Sequence, residues 1–210
     1  MRTKAPKYGC RFHSFSLDGQ DRDAGADYVL TDSDRFAIVE FKYSTADLVS
    51  EKNKPRRLKL CQELLHHNDM RALHDRCHFI SWSEVPSGIV KTNIYRNEIC
   101  TQAVFGRSCG LTAQIGTSAT RVSAGEFAQD FFAKNGSKSL SLAEFESYVA
   151  WVLTETSAST SSTLELVAHN PTSNDLSLVR LNSIAEAQAW VQAHVSPPQP
   201  RNRHGGRCGI

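Results

Sequence analysis

The chain has 210 residues, 40% of them hydrophobic and 22% charged, which is the profile of a globular protein long enough to bury a core in one domain, with room for a small appendage. A formal net charge of +2 is too mild to establish a nucleic-acid partner by itself, so local clustering of charge must decide that point. The opening Met-Arg-Thr-Lys-Ala-Pro-Lys has no apolar core, and no apolar run approaches the roughly 20 residues that span a bilayer, which excludes a membrane-inserted chain.

The six cysteines are scattered, without a Cys-x-x-Cys pair, and predict a reduced, cytoplasmic protein. Ala26 to Ser44 reads as two strands around Thr-Asp-Ser-Asp, because both arms are rich in β-branched and aromatic residues and the centre in turn formers. With Ser33 and Asp34 as loop residues, Asp32 pairs with Arg35, and stepping outward sets Asp27 directly opposite Glu40. Opposed residues in an antiparallel pair have Cβ atoms roughly 4.5–5.5 Å apart, so the two carboxylates can share a divalent ion. Lys42 joins the same face by the period of two. Phe36 and Ile38 on one face, and Ala37, Val39, Phe41 and Tyr43 on the other, predict a strand buried on both sides. An ionised glutamate and lysine near its end then cost several kcal/mol unless each is paired or bound to a metal.

Thr45 to Lys54 is polar and carries no assigned element. Pro55 is placed for a helix start, and Leu58, Leu60, Cys61, Leu64 and Leu65 recur at helical spacing to about His67. A short helix around Met70 to His74 leads to a buried strand, His78 to Trp82. Gly88 to Val90 and Thr92 to Tyr95 are short strand pieces in a weakly patterned region reaching Arg121. Ser123 to Glu126 and Ser141 to Glu144 match capping boxes, predicting helices over 124–134 and 142–155. After a Ser/Thr-rich connector, Leu164 to Ala168 and Leu176 to Leu181 form a hairpin, and Ala185 to Val195 a last helix. This ββα unit, 164–196, is either a subdomain or an edge extension of a domain over 1–155, and 197–210 has the composition of a disordered tail.

Gly25-Ala-Asp27, a turn, and Val39-Glu40-Phe41-Lys42 resemble the core of the PD-(D/E)XK nuclease superfamily, over about the first third of the chain. The resemblance implies an α/β fold, a mixed central β-sheet flanked by helices with a restriction-endonuclease-like core, here with the C-terminal ββα extension. It also implies a phosphodiester hydrolase dependent on Mg²⁺ or Mn²⁺, acting on nucleic acid, DNA first. By resemblance, Asp27, Glu40 and the Phe41 carbonyl hold the ion, while Lys42 orients or activates water. The family usually adds an acidic residue on a preceding helix; here the acidic residues before Asp27 lie in a loop-like segment, and Asp23 is the nearest candidate ligand.

Lys52, Lys54, Arg56, Arg57 and Lys59 form a basic cluster with no acidic residue inside it, suited to neutralising phosphates. Gln62 lies on the same helix and joins them as a nucleic-acid contact by resemblance. His66, His67, His74 and His78, with Cys61 and Cys77, crowd one stretch without finger or ribbon spacing and read as helix-face and core residues. Two alternatives stand beside the nuclease: a catalytically silent module of the same fold in a defence, repair or mobile-element assembly, and an accessory protein that binds a protein partner. Substrate type, specificity and oligomeric state are not encoded in any recognisable motif.

Overall fold

A computed structural model describes residues 12–16, 28–32, 35–113, 118–156, 164–170 and 175–181, with Glu186 and Ala189. The chain is α/β, with a mixed open sheet flanked by helices. β1 (Phe12–Ser16), β2 (Tyr28–Asp32) and β3 (Arg35–Lys42) form an antiparallel meander. A 3₁₀ helix over Thr45–Asn53 and helices α1 (Pro55–His66) and α2 (Asn68–Cys77) then carry the chain to β4 (His78–Glu84). β4 lies parallel to β3, the geometry a helical crossover produces. β5 (Ile89–Ile94) returns antiparallel to β4, followed by short helices α3 (Tyr95–Ile99) and α4 (Gln102–Phe105). β6 (Val122–Ser123), α5 (Ala124–Phe132), β7 (Leu140–Ser141) and α6 (Leu142–Thr156) complete the main body. The sheet order is β1-β2-β3-β4-β5-β6, with β7 added to the start of β3.

The first hairpin has the register expected from its sequence: Asp32 pairs with Arg35, and Tyr28 with Val39. Strand β1, which the sequence pattern did not predict, covers the outer edge of β2. Because side chains alternate along a strand, β3 feeds two cores. Phe36 and Ile38 pack with Leu60, Leu64, Ile80, Trp82, Tyr95 and Tyr148 beneath α1, α2 and α6. Ala37 and Val39 pack with Leu30, Phe79 and the Phe127, Phe131 and Phe132 rings of α5 on the other face. Both capping boxes form. Glu126 accepts from the Ser123 amide and hydroxyl at 2.7 and 2.8 Å, and Glu144 accepts from those of Ser141 at 3.0 and 2.8 Å.

His74 and His78 are core residues, both completely buried, with Nδ1 atoms 2.6 and 2.8 Å from the Tyr148 hydroxyl. The Arg96 amide donates to His74 Nε2 at 3.2 Å, so a neutral His74 carries its proton on Nδ1 and donates to Tyr148, which in turn donates to His78. His66 and His67 lie on the exposed end of α1.

The expectation of uniformly reduced cysteines is corrected. Cys61 on α1 and Cys100 just after α3 form a disulfide, with Cα atoms 5.1 Å apart, in a small core shared with Cys109 and Leu111. Residues widely separated in sequence are joined here because α1 and the segment after α3 pack together, and spacing along the chain carries no trace of that. The cysteine argument for a reducing, cytoplasmic setting therefore falls. Cys77 and Cys109 are free and buried.

β8 (Leu164–Asn170) and β9 (Asp175–Leu181) pair antiparallel as a separate two-stranded sheet, as the hairpin pattern predicts. The final helix falls outside the described residues except for Glu186 and Ala189, which are both helical, and the tail over 197–210 lies wholly outside them. No helix among the described residues is long and apolar enough to cross a membrane.

Candidate functional site

The site grows from the end of β3. Glu40 and Lys42 point to the face that packs under α1, so the strand delivers two charged side chains into a region otherwise filled by apolar groups. Beyond Lys42 the chain turns sharply. The Asp47 carboxylate accepts from the Ser44 amide and hydroxyl, both at 2.9 Å, and this fixes the start of the 3₁₀ helix. Leu48 anchors that helix in the core, and Pro55 begins α1. Glu51, Lys54 and Arg57 recur at every third position across the junction, and so arrive together above Glu40 and Lys42.

The result is a cluster of two carboxylates and three cations. Glu40 and Glu51 are 1% and 0% exposed, Arg57 2%, Lys42 12% and Lys54 30%. The Lys42 ammonium lies 2.6 Å from Glu40 Oε1 and 2.7 Å from Glu51 Oε1. The Lys54 ammonium lies 2.8 and 3.1 Å from the same two atoms. Arg57 Nε donates to Glu51 Oε2 at 3.2 Å, and its Nη2 stands 4.0 Å from Glu40 Oε2. The buried Tyr95 hydroxyl donates to Glu51 Oε2 at 2.7 Å.

Burial opposes the charges of Glu51, Lys42 and Arg57, and the pairings overcome it. Desolvation alone would raise the Glu51 pKa, but hydrogen bonds from Lys42 and Tyr95 and the charges of Arg57 and Lys42 bring it down to about 2. For Lys42, burial works to lower the pKa, and its hydrogen bonds to Glu51 and Glu40 outweigh it, so the ammonium keeps its proton well above the ordinary lysine range. Burial drives the Tyr95 phenol upward as well, which keeps it a hydrogen-bond donor. On the next strand, Trp82 pairs with Lys42 in the β3–β4 ladder and carries the Arg121 guanidinium 5.3 Å above its ring.

The sequence-derived candidates divide clearly. Glu40, Lys42, Lys54 and Arg57 are brought together. Asp27 and Asp23 lie outside the described residues; the described β2–β3 pairs run from Asp32 and Arg35 to Tyr28 and Val39. Phe41 pairs with Ser81 in the ladder while its ring, 43% exposed, faces away from Glu40. Lys52 and Lys59 are exposed and Arg56 half-buried, so the basic run does not form one surface: its Arg57 is inside the protein. Gln62 donates through Nε2 to the Cys109 carbonyl at 3.0 Å, away from the charged cluster. Glu51 and Tyr95 were missed. For Glu51 a signal existed, the three-residue spacing to Lys54 and Arg57; Tyr95 sat among strand residues and offered none.

Among the described residues no three His, Cys, Asp or Glu side chains converge as a metal-binding group. The chemistry of the donors nevertheless suits a hard cation, because Mg²⁺ takes one or two carboxylates and fills its remaining positions with water and substrate phosphates. No protein-family model, curated protein or solved structure matches this chain.

Proposed function

We propose that the protein is a Mg²⁺- or Mn²⁺-dependent nuclease hydrolysing phosphodiester bonds of nucleic acid, DNA first, with a restriction-endonuclease-like core and Asp27, Glu40 and Lys42 at its centre. The observation that carries the reading is the burial of Glu40 beside Lys42 at the end of a central strand, 1% and 12% exposed. Apolar residues there would stabilise the sheet at lower cost, so retaining a buried ion pair calls for a use. The hairpin register adds support, since Tyr28 pairs with Val39 as expected by the reading that sets Asp27 opposite Glu40.

Glu40 and Asp27 would hold the ion, with the Phe41 carbonyl and Asp23 as further donors. When bound, it supplies positive charge at the phosphoryl oxygens and lowers the pKa of water. Lys42 cannot coordinate a cation while protonated, and its ammonium instead orients water or a phosphate oxygen. Glu51 also pairs with that ammonium, and is itself held by Tyr95 and Arg57. Lys52, Arg56 and Lys59 remain as backbone contacts for the nucleic acid.

Purified protein should cleave DNA or RNA in Mg²⁺ or Mn²⁺ and lose this with EDTA. Lys42→Ala should keep the metal and lose about 10²-fold or more in turnover, whereas Glu40→Gln should lose both. Absence of cleavage on single- and double-stranded DNA and RNA would overturn the enzyme. A second reading has its own observation: both lysine ammoniums already bridge the same two carboxylates, so their charge is neutralised without a ligand. That favours a silent module that binds nucleic acid or a protein partner, distinguished by salt-sensitive DNA binding without hydrolysis.

A further inference from the structure

Lys42 Nζ and Lys54 Nζ each lie within 3.1 Å of both Glu40 Oε1 and Glu51 Oε1. Both ammoniums donate to Glu40 Oε1 and form ion pairs with Glu51 Oε1, so each links the two carboxylates much as a small cation does. The two lysines differ in their freedom. Lys42 is 12% exposed and stands on β3, held in the ladder opposite Trp82. Lys54 is 30% exposed and is the extended residue between the 3₁₀ helix and α1, so its flexible stem can swing to solvent without disturbing either helix.

We infer that Lys54 is the resident counter-ion of the metal-free site, leaving for solvent when a divalent cation takes its place between Glu40 and Glu51. The inference rests on reading Glu40 as a metal ligand and adds two roles that the sequence pattern did not suggest: Glu51 as the second carboxylate of the exchange, and Lys54 as its competitor. The exchange raises the charge of the cluster. Lys42, Lys54 and Arg57 against Glu40 and Glu51 leave one net positive charge. A divalent ion in place of the Lys54 ammonium leaves two, and the released ammonium stands beside the site for a phosphate contact. Such a pocket attracts a phosphodiester more strongly loaded than empty.

Calorimetric Mn²⁺ titration of the full chain and of Lys54→Met tests this. Removing the competitor should tighten Mn²⁺ binding at least about tenfold, lower the metal-free melting temperature, and make Mn²⁺ restore stability more than it does in the wild type. In the wild type, labelling with an amine-reactive reagent should modify Lys54 several-fold faster at saturating Mn²⁺, with Lys52 unchanged. A folded Lys54→Met with equal or weaker Mn²⁺ affinity overturns the inference; if that variant does not fold, unchanged Lys54 labelling does so. No Mn²⁺ binding by either protein removes the exchange and the metal site together. Mn²⁺ binding with the expected labelling but no hydrolysis leaves the exchange standing and removes only the nuclease.

Discussion

Arg57 changes meaning between sequence and structure. In the run Lys52 to Lys59 it looks like one of several phosphate contacts, yet it is 2% exposed and neutralises Glu51 from inside the protein. Its pKa is raised above the ordinary value despite burial, by the neighbouring Tyr95 oxygen and the Glu40 and Glu51 carboxylates. Replacing it with methionine leaves a buried carboxylate short of a partner, a change that costs about 3–5 kcal/mol when one member of a buried ion pair is removed. Urea denaturation of Arg57→Met should show a loss of that size, against less than about 0.5 kcal/mol for the exposed Lys59→Met. Equal effects would mean that the guanidinium contributes no more than a surface charge. A triple alanine variant at Arg56, Arg57 and Lys59 is accordingly not a clean probe of nucleic-acid binding, whereas Lys52 and Lys59 can be changed without touching the cluster.

At the level of elements, the cluster exists because three pieces of chain are clamped together. The turn after β3 is set by Asp47 and Leu48, α1 starts at Pro55, and α3 brings Tyr95 over Glu51. The Cys61–Cys100 disulfide ties α1 to the segment following α3 across a sequence separation of 39. Closing a loop of that length removes unfolded-state entropy worth about 4 kcal/mol at 25 °C. Reduction with a phosphine should lower the denaturation free energy by up to about that amount, and mass spectrometry of the non-reduced protein should find Cys61 joined to Cys100. Recovery of both cysteines as free thiols from protein prepared under oxidising conditions would contradict the pairing. Strands β2 and β3 and both capped helices were legible beforehand, since alternation, turn residues and the Ser-x-x-Glu pattern act within a few residues. Strand β1 and the 3₁₀ helix were not: one has few apolar residues to alternate, and the other is polar with a single buried leucine.

For the whole molecule, two buried groups make stability fall in acid. His74 has its pKa pushed well below 6.5, chiefly by burial and then by the neighbouring His78 and Arg96. The unfolded chain thus takes up a proton below pH 6.5 that the folded chain refuses, and stability declines as pH drops from that point. Glu51 adds a second decline: its stabilisation is present above the unfolded value of 4.5 and is lost as pH falls toward about 2. Lys42 acts at the opposite end, its raised pKa giving stability that is complete below 10.5 and lost as pH rises through the higher folded value. Urea midpoints should therefore be highest between pH 7 and 10 and fall in two stages on acidification. A level profile from pH 7 to 5 would show that His74 titrates normally and is not buried as described.

The sequence alone determined the hairpin, its register, and the placing of Glu40 and Lys42 on one face of a strand covered on both sides, because a two-residue period and turn chemistry are local properties. Tertiary structure decided that Glu51 and Tyr95 join them, that Arg57 is internal, and that Cys61 finds Cys100. Those outcomes depend on which helix face is turned inward and on which distant segments share a core. The energies that choose between the alternatives come from desolvating charges and packing side chains across elements, and a linear pattern of residue types records neither.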